Sequence, residues 1–484
     1  MPASLLVGGA MILWTLFGMV VLAAAGTFTW YYVHDRWIQR DHAILRNFPI
    51  YGRFRYVMEN LGEYFRQYWF TADWEERPFN RLTRAWVYRS AKAVSNYVAF
   101  GSEVDQQQHG HIYFLHSAFP VNEYEAETYT GKWIGRGVAR QPYKPKSFFN
   151  ISGMSYGALS SAAVTALSEG AAMAGTWLDT GEGGLSPHHL KGGCDIIFQI
   201  GTAKYGVRDK DGNLDDDKLR EIAAVPQVKM ICVKLSQGAK PGRGGILPAA
   251  KVNEEIARIR LIEPHKPSIS PNRHHEITDV PSLIAFIARV RSVTGKPVGI
   301  KMALGDDSFI DQLFDYLQHR PAEAPDFIQI DGAEGGTGAA PAPLADYVGQ
   351  SIVQSLPTLA EKRRQYGLRN RIRIVASGKL LTPDKVAWAL CQGADFVVSA
   401  RGFMFSLGCI QAMKCNTGHC PTGVTSNEPR FMRGLDPTKK AVRVANYAKA
   451  VVHDVEAIAH ACGCKSVREL KAHHVRVQGG SLTL

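Results

Sequence analysis

Three cysteines open the chemistry of this chain. The segment Gly408-Cys409-Ile410-Gln411-Ala412-Met413-Lys414-Cys415-Asn416-Thr417-Gly418-His419-Cys420-Pro421 spaces them as C-x5-C-x4-C. Three thiolates on one short, turn-rich segment can converge on a soft inorganic centre. Iron–sulfur clusters are held by Cys thiolates, and a proline directly after the last ligand is a feature of ferredoxin-type loops. With only Cys409, Cys415 and Cys420 at hand, a three-iron cluster fits better than a fully cysteine-ligated cube, and a cluster with one non-Cys corner fits as well. A zinc site with three thiolates and three buried thiols are the other readings of the same spacing. The remaining cysteines, Cys194, Cys232, Cys391, Cys462 and Cys464, show no metal-site spacing, although Cys462-Gly-Cys464 could form a second small site.

Two further segments carry chemistry of their own. Asp331-Gly332-Ala333-Glu334-Gly335-Gly336-Thr337-Gly338 follows the apolar run Phe327–Ile330. Repeated glycines let backbone N–H groups approach an anion, and Thr337 adds a hydroxyl. The phosphate of a flavin or of a substrate would suit; a turn-rich flexible loop is the plainer reading. Lys301 ends the run Val298-Gly299-Ile300-Lys301. A buried cation is costly unless paired, and at a strand end it could face negative charge on a reduced flavin ring. The plainer reading is a lysine that snorkels to solvent. Lys240, in Gln237-Gly-Ala-Lys-Pro-Gly-Arg-Gly-Gly245, and Arg260 on the helical stretch after it could clamp a carboxylate.

The elements that must position these residues read as parallel βαβ units. Apolar runs fall at 148–151, 176–179, 195–200, 229–235, 298–302, 327–330, 372–376 and 396–398. Helical stretches at 160–173, 250–262, 281–293 and 383–392 separate several of them. The pattern predicts an α/β chain built on a (β/α)8 TIM barrel, whose chemistry sits at the C-terminal ends of the strands. A doubly wound open sheet is the alternative, but no GxGxxG marks a first strand–helix turn.

The N-terminus is a compositional break. No charged residue occurs from Leu5 to Val33, which is longer than the roughly 20 residues that cross a bilayer. Trp30, Tyr31 and Tyr32 form an aromatic belt, followed by Arg36, Arg40, Arg46, Arg53 and Arg55. The positive-inside rule predicts a single-pass membrane protein with its catalytic region in the cytoplasm. The formal net charge of +12 partly reflects this juxtamembrane excess and favours anionic lipid headgroups; no nucleic-acid-binding motif accompanies it, so nucleic acid is not an expected partner. Residues 54–69 predict an amphipathic helix with an aromatic stripe, either packed on the catalytic domain or lying on the membrane surface, and 79–98 a second helix. His109, His111 and His116 lie in a polar segment after it, where a metal site is the less favoured reading. The predicted division is an anchor at 1–33, a helical juxtamembrane and N-terminal extension at 34–146, a barrel with its iron–sulfur loop at 147–430, and a helical tail at 431–484.

Read together, the motifs resemble the FMN-binding synthase domain of the glutamate synthase family, in its stand-alone, membrane-anchored form. The resemblance rests on Gly153-Met-Ser-Tyr-Gly-Ala-Leu-Ser160, Thr180-Gly-Glu-Gly-Gly184, Gln199-Ile-Gly-Thr-Ala-Lys-Tyr-Gly-Val207, Gln237-Gly-Ala-Lys-Pro-Gly242, Ser270-Pro-Asn-Arg-His-His-Glu276, Gly335-Gly-Thr-Gly-Ala339 and the three-cysteine segment through Gly423, in collinear order. It implies FMN and a [3Fe–4S] cluster in a barrel that reductively aminates a 2-oxo acid, with electrons from a ferredoxin or reductase subunit. By position it implies Cys409, Cys415 and Cys420 as cluster ligands. Met154, Ser155, Lys301, Gly335, Gly336, Thr337, Gly338 and Gly378 would line FMN, and Glu182, Lys240 and Arg260 a small carboxylate substrate. Lys301 and Glu182 would be the catalytic pair.

Some residues depart from that pattern. The family's PGEGGQLPG reads Pro241-Gly-Arg243-Gly-Gly-Ile246-Leu-Pro-Ala249, and its DGGL reads Ser377-Gly-Lys-Leu380. In that family the Gln helps bind 2-oxoglutarate. The expectation is therefore an acidic substrate with weak turnover of 2-oxoglutarate itself. No glutaminase segment and no NAD(P)H fingerprint are found, so ammonia from glutamine is not expected within this chain and electrons are expected from another protein. An amino-group transferase like the synthase-type subunit of N-methylglutamate synthase, and an electron-transfer module without a substrate, are the alternatives.

Overall fold

The computed structural model describes residues 3–479. The chain divides into two compact units, Met1–Leu82 and Thr83–Leu484. In the first, a helix runs over Ala3–Val33 and continues through a wide π-type turn at His34–Ile38. Arg53 reaches back to pair with Asp35 and lies over the Tyr31 ring, which folds the chain after the apolar helix against its end. The helix predicted over 54–69 starts at Tyr51 and ends at Phe65, because the backbone widens into a second π-type turn at Arg66–Phe70. Its aromatic stripe, including Phe54, Tyr64, Tyr68 and Trp69, is exposed.

The second unit is a closed barrel of eight parallel strands. In chain order they are β1 (Phe149–Ile151), β2 (Leu178–Asp179), β3 (Ile196–Ile200), β4 (Val228–Lys234), β5 (Val298–Ala303), β6 (Phe327–Asp331), β7 (Arg373–Ser377) and β8 (Phe396–Ser399). Each pairs with the next, and β8 closes on β1 through Val398 opposite Asn150. Strands buried on both faces read as continuous apolar runs, which is why all eight were visible in the sequence. Their bounds differ most at β2, which pairs over Leu178 and Asp179 alone.

Among the described residues, three helices of nine or more residues were not anticipated, at Asp216–Ala224, Ser308–Gln318 and Ile352–Gln365. The last carries an internal Pro357, which reads as a breaker in sequence. The predicted helix over 160–173 runs over Ser161–Ala174, with the Ser160 hydroxyl accepting the Ala163 N–H and Gly175 left-handed at its end. In the tail, a long helix spans Pro437–Ala461, and its buried Tyr447 donates to the Leu381 carbonyl at 2.8 Å.

Residues ahead of β1 belong to the barrel unit. Ile134 and Tyr143, joined by a backbone bridge, enter the apolar cluster of Trp177, Ile197, Met230, Phe327 and Phe396 near the N-terminal ends of the strands. Ile112–Phe114 pairs antiparallel with Val475–Val477. The helix predicted over 79–98 covers Arg81–Ala91, and Tyr88 within it donates to the Cys409 carbonyl at 2.6 Å.

Candidate functional site

The C-terminal ends of the strands gather charge. Lys301, on β5, is buried, with its Nζ 3.3 Å from Asp331 at the end of β6. Asp179, at the end of β2, accepts from Gln199 on β3 and from the Gly181 N–H at 2.8 Å. Burial pushes the Asp179 carboxyl up to about 6, against the pull of Lys301 and the Gly181 N–H. Burial also penalises the Lys301 ammonium, yet Asp331 and Asp179 hold its pKa above the ordinary lysine value. The lysine is thus a fixed, desolvated cation.

A second group lies on the loops after β2 and β4. Glu182 pairs with Lys234, the last residue of β4, at 2.9 Å. Burial would raise the Glu182 carboxyl, but Lys234, Lys240 and Arg260 hold it below the usual carboxylate range. Its side chain fits only because Gly201 and Gly245 lack a Cβ, which would stand 2.7 Å from the Glu182 Cβ and 2.4 Å from its Oε1 respectively. Arg260 donates to the Ser268 hydroxyl and the Tyr156 carbonyl, both at 3.2 Å, and its guanidinium lies 5.1 Å from the Tyr205 ring centre. Its buried Nε has no partner among the described residues. Three cations against one carboxylate leave this group with an unbalanced positive charge, an arrangement suited to an anionic ligand. His274 donates through Nε2 to the Lys234 carbonyl at 3.0 Å, and burial pushes it down to about 4, so it stands neutral.

The glycine loop and the cysteine segment border this region. The Gly332 N–H donates to the Ser377 carbonyl at 2.7 Å, so the loops after β6 and β7 meet beside Gly378. The backbone N–H groups of Gly336, Thr337 and Gly338 make no backbone hydrogen bond among the described residues, which leaves them as donors for an anion. Met154 is buried and its carbonyl lies 2.8 Å from His189 Nε2; Ser155 abuts Gly181. Burial raises the cost of ionising the Cys409 thiol, and the nearby Cys415 and Cys420 add to it. Among the described residues no group of three His, Cys, Asp or Glu side chains is gathered tightly enough for a single metal ion. A zinc ion would need sulfurs roughly 3.8 Å apart, from Zn–S bonds of about 2.3 Å in a tetrahedron; a multi-iron cluster spreads its thiolates wider. Lys251 donates to the carbonyls of Cys415 at 3.0 Å and Thr425 at 2.8 Å.

The structure brings Glu182, Lys240 and Arg260 together, and separately Lys301 with two carboxylates. It adds Lys234, Asp179, Gln199 and Asp331, to which the sequence reasoning gave no role in the site. Lys234 carried the same signal as Lys301, a cation inside an apolar run. Ile246 is 44% exposed and pairs with Ile269 in a short two-stranded antiparallel ladder, while Arg243 is exposed. His109 and His116 are exposed.

Residues 94–465 match the family model described as the conserved region in glutamate synthase. The chain is 41% identical over 94% of its own length, and 94% of the relative's, to the glutamate synthase large subunit-like protein YerD of Bacillus subtilis. It is 33% identical to the archaeal glutamate synthase [NADPH] of Methanocaldococcus jannaschii over 74% of this chain and 68% of that protein. Among solved structures it is similar to the flavin-binding domain of baker's yeast flavocytochrome b2, with a TM-score of 0.45 and 13% identity over 81% of this chain and 78% of that one.

Proposed function

This chain belongs to the glutamate synthase family, and from that premise we propose a membrane-anchored oxidoreductase that uses FMN and a three-iron cluster to aminate an acidic 2-oxo acid reductively. The observation that carries this reading is the unbalanced cation group of Lys234, Lys240 and Arg260 around Glu182, on the same barrel mouth as the buried Lys301.

Bound FMN would supply hydride transfer, and a cluster on Cys409, Cys415 and Cys420 would supply one-electron relay from a partner protein. The residues fit both groups. The N–H groups at Gly336–Gly338 suit a phosphate, and Met154, Ser155, Gly335 and Gly378 lie on loops around the same mouth. Lys301, held charged by Asp331 and Asp179, presents a positive group to electron-rich atoms. Lys240 and Arg260 bind the substrate carboxylate, and Arg260 has a free Nε to offer. Glu182 keeps Lys234 in place and gives the substrate's nitrogen a carboxylate neighbour.

The apolar helix is long and apolar enough to cross a bilayer by length and composition, over Met11–Ile38. With the arginines that follow, it would hold the barrel on the cytoplasmic side. Deleting residues 1–33 should release the catalytic unit from membranes, with any salt-sensitive remainder held by the basic segment; full retention at high salt would contradict the anchor. Anaerobically purified protein should contain FMN, iron and sulfide. Cys415→Ser should lose the iron and Cys462→Ser keep it. Zinc without iron, or equal loss in both variants, would overturn the ligand assignment.

A further inference from the structure

Arg401 touches both cofactor segments at once. It is the first residue of the short helix Arg401–Leu407 that follows β8. Its Nη2 donates to the Thr337 carbonyl in the glycine loop at 2.5 Å. Its Nη1 lies 3.9 Å from Cys415 Sγ and 3.6 Å from Met404 Sδ. A Cβ on Gly336 would sit 2.5 Å from the Arg401 Nε, so the guanidinium lies against the loop where only glycine leaves room. The same positive charge acts on the Cys409 thiol. Lys251 reaches the cysteine segment from another loop, through the Cys415 carbonyl.

We propose that Arg401 is a positioning residue that ties the glycine loop to the cysteine segment and sets the reduction potential of the centre those cysteines hold. The inference rests on the reading of FMN and cluster given above. A planar guanidinium can serve two partners in a fixed fork, which a lysine ammonium cannot. A fixed positive charge beside thiolate ligands lowers the cost of the negative charge added when the centre takes up one electron from its protein donor. The tether also fixes the gap between the two segments, across which that electron must pass.

The test uses full-length, anaerobically prepared protein with Arg401→Gln and Arg401→Lys. Hydrogen exchange in 335–338 and in 411–420 should rise together in Arg401→Gln, by roughly tenfold for the loss of one charge-assisted hydrogen bond. The iron–sulfur midpoint, followed by electron paramagnetic resonance, should move negative. Arg401→Lys should restore the midpoint in part and the exchange protection hardly at all. Exchange that rises in one segment alone or in neither, with iron and flavin present, overturns the tether while the cofactor reading stands. An unchanged midpoint in Arg401→Gln overturns the tuning. Wild-type protein without iron and sulfide overturns the cluster reading and the tuning with it, while the exchange measurement still decides the tether.

Discussion

The two ends of the barrel handle buried charge in opposite ways. At the base, each acid directly ahead of β6 and β8 is over-supplied with partners. Asp395 accepts from Lys132 at 2.6 Å, Arg363 at 2.7 Å and the Ile374 N–H at 3.0 Å. Asp326 accepts from Arg371 at 2.8 Å, Arg291 at 3.2 Å and the Val298 N–H at 2.8 Å. Although burial opposes it, the cations beside Asp395 bring its carboxyl down to about 2. At the mouth, Asp179 is pushed up to about 6, burial lowers the pKa of Lys240, and the Arg260 Nε goes without a partner. Charges that complete one another close a structure; charges left unmatched are available to a ligand. The base holds the barrel shut and the mouth is arranged for something that is not protein.

That contrast should show first as a split between stability and activity. Asp395→Asn leaves Arg363 buried without its counter-charge and should cost about 3–5 kcal/mol in denaturant unfolding, with cofactor content unchanged in the folded fraction. A loss under about 1 kcal/mol would mean that the base is not structural in this sense. Lys301→Met should weigh more on turnover, which should fall roughly 100- to 1,000-fold, about 2.7–4 kcal/mol of transition-state stabilisation, with a smaller drop in melting temperature than in Asp395→Asn, because Asp179, already raised to about 6, can take up a proton once the cation is gone. A variant that unfolds but keeps its specific activity would reverse the assignment.

A pH titration of stability sharpens the same comparison. Asp395 has a lowered folded pKa, so its contribution, on the order of 2 kcal/mol, is present above the unfolded value of 3.8 and is lost as pH falls through about 2. Asp179 has a raised folded pKa, so its contribution is complete below 3.8 and is lost as pH rises through about 6. Asp179→Asn should flatten the stability profile between those two values, and Asp395→Asn should flatten it only below them. Identical profiles in the two variants would count against opposed environments. The smallest effect is expected at the exposed Ile246. Ile246→Gln should leave the melting temperature unchanged and raise turnover of 2-oxoglutarate with ammonium by up to about tenfold, one hydrogen bond to a charged group. No change in turnover would remove that position from the substrate's reach.

The sequence announced the barrel because its strands are buried on both faces and read as unbroken apolar runs. It announced Lys301 because a cation inside such a run has few innocent explanations, and the cysteine segment because its spacing is local. Other parts needed the fold. Lys234 stands in an equally apolar run but gained meaning only once Glu182, on a different loop, lay beside it. Arg401 is 64 residues from Thr337, and no local pattern connects them. The base acids share a simple signature, an Asp directly before the strand at Asp326-Phe327 and Asp395-Phe396, yet their side-chain partners come from helices, from the turn before β7 and from the segment before β1. Boundaries were misplaced where propensity and tertiary pairing disagree, as at β2, where only two residues find a ladder.

We propose that the mouth of this barrel reduces an acidic oxo acid. The most direct measurement is reoxidation of the flavin after anaerobic reduction, followed by absorbance, across a panel of mono- and dicarboxylic 2-oxo acids with and without ammonium. Fast reoxidation by a dicarboxylic 2-oxo acid that requires ammonium, is lost in Lys301→Met and weakened in Arg260→Lys, is the expected result. Reoxidation no faster with any oxo acid than with buffer, in protein that holds both flavin and iron, would contradict it.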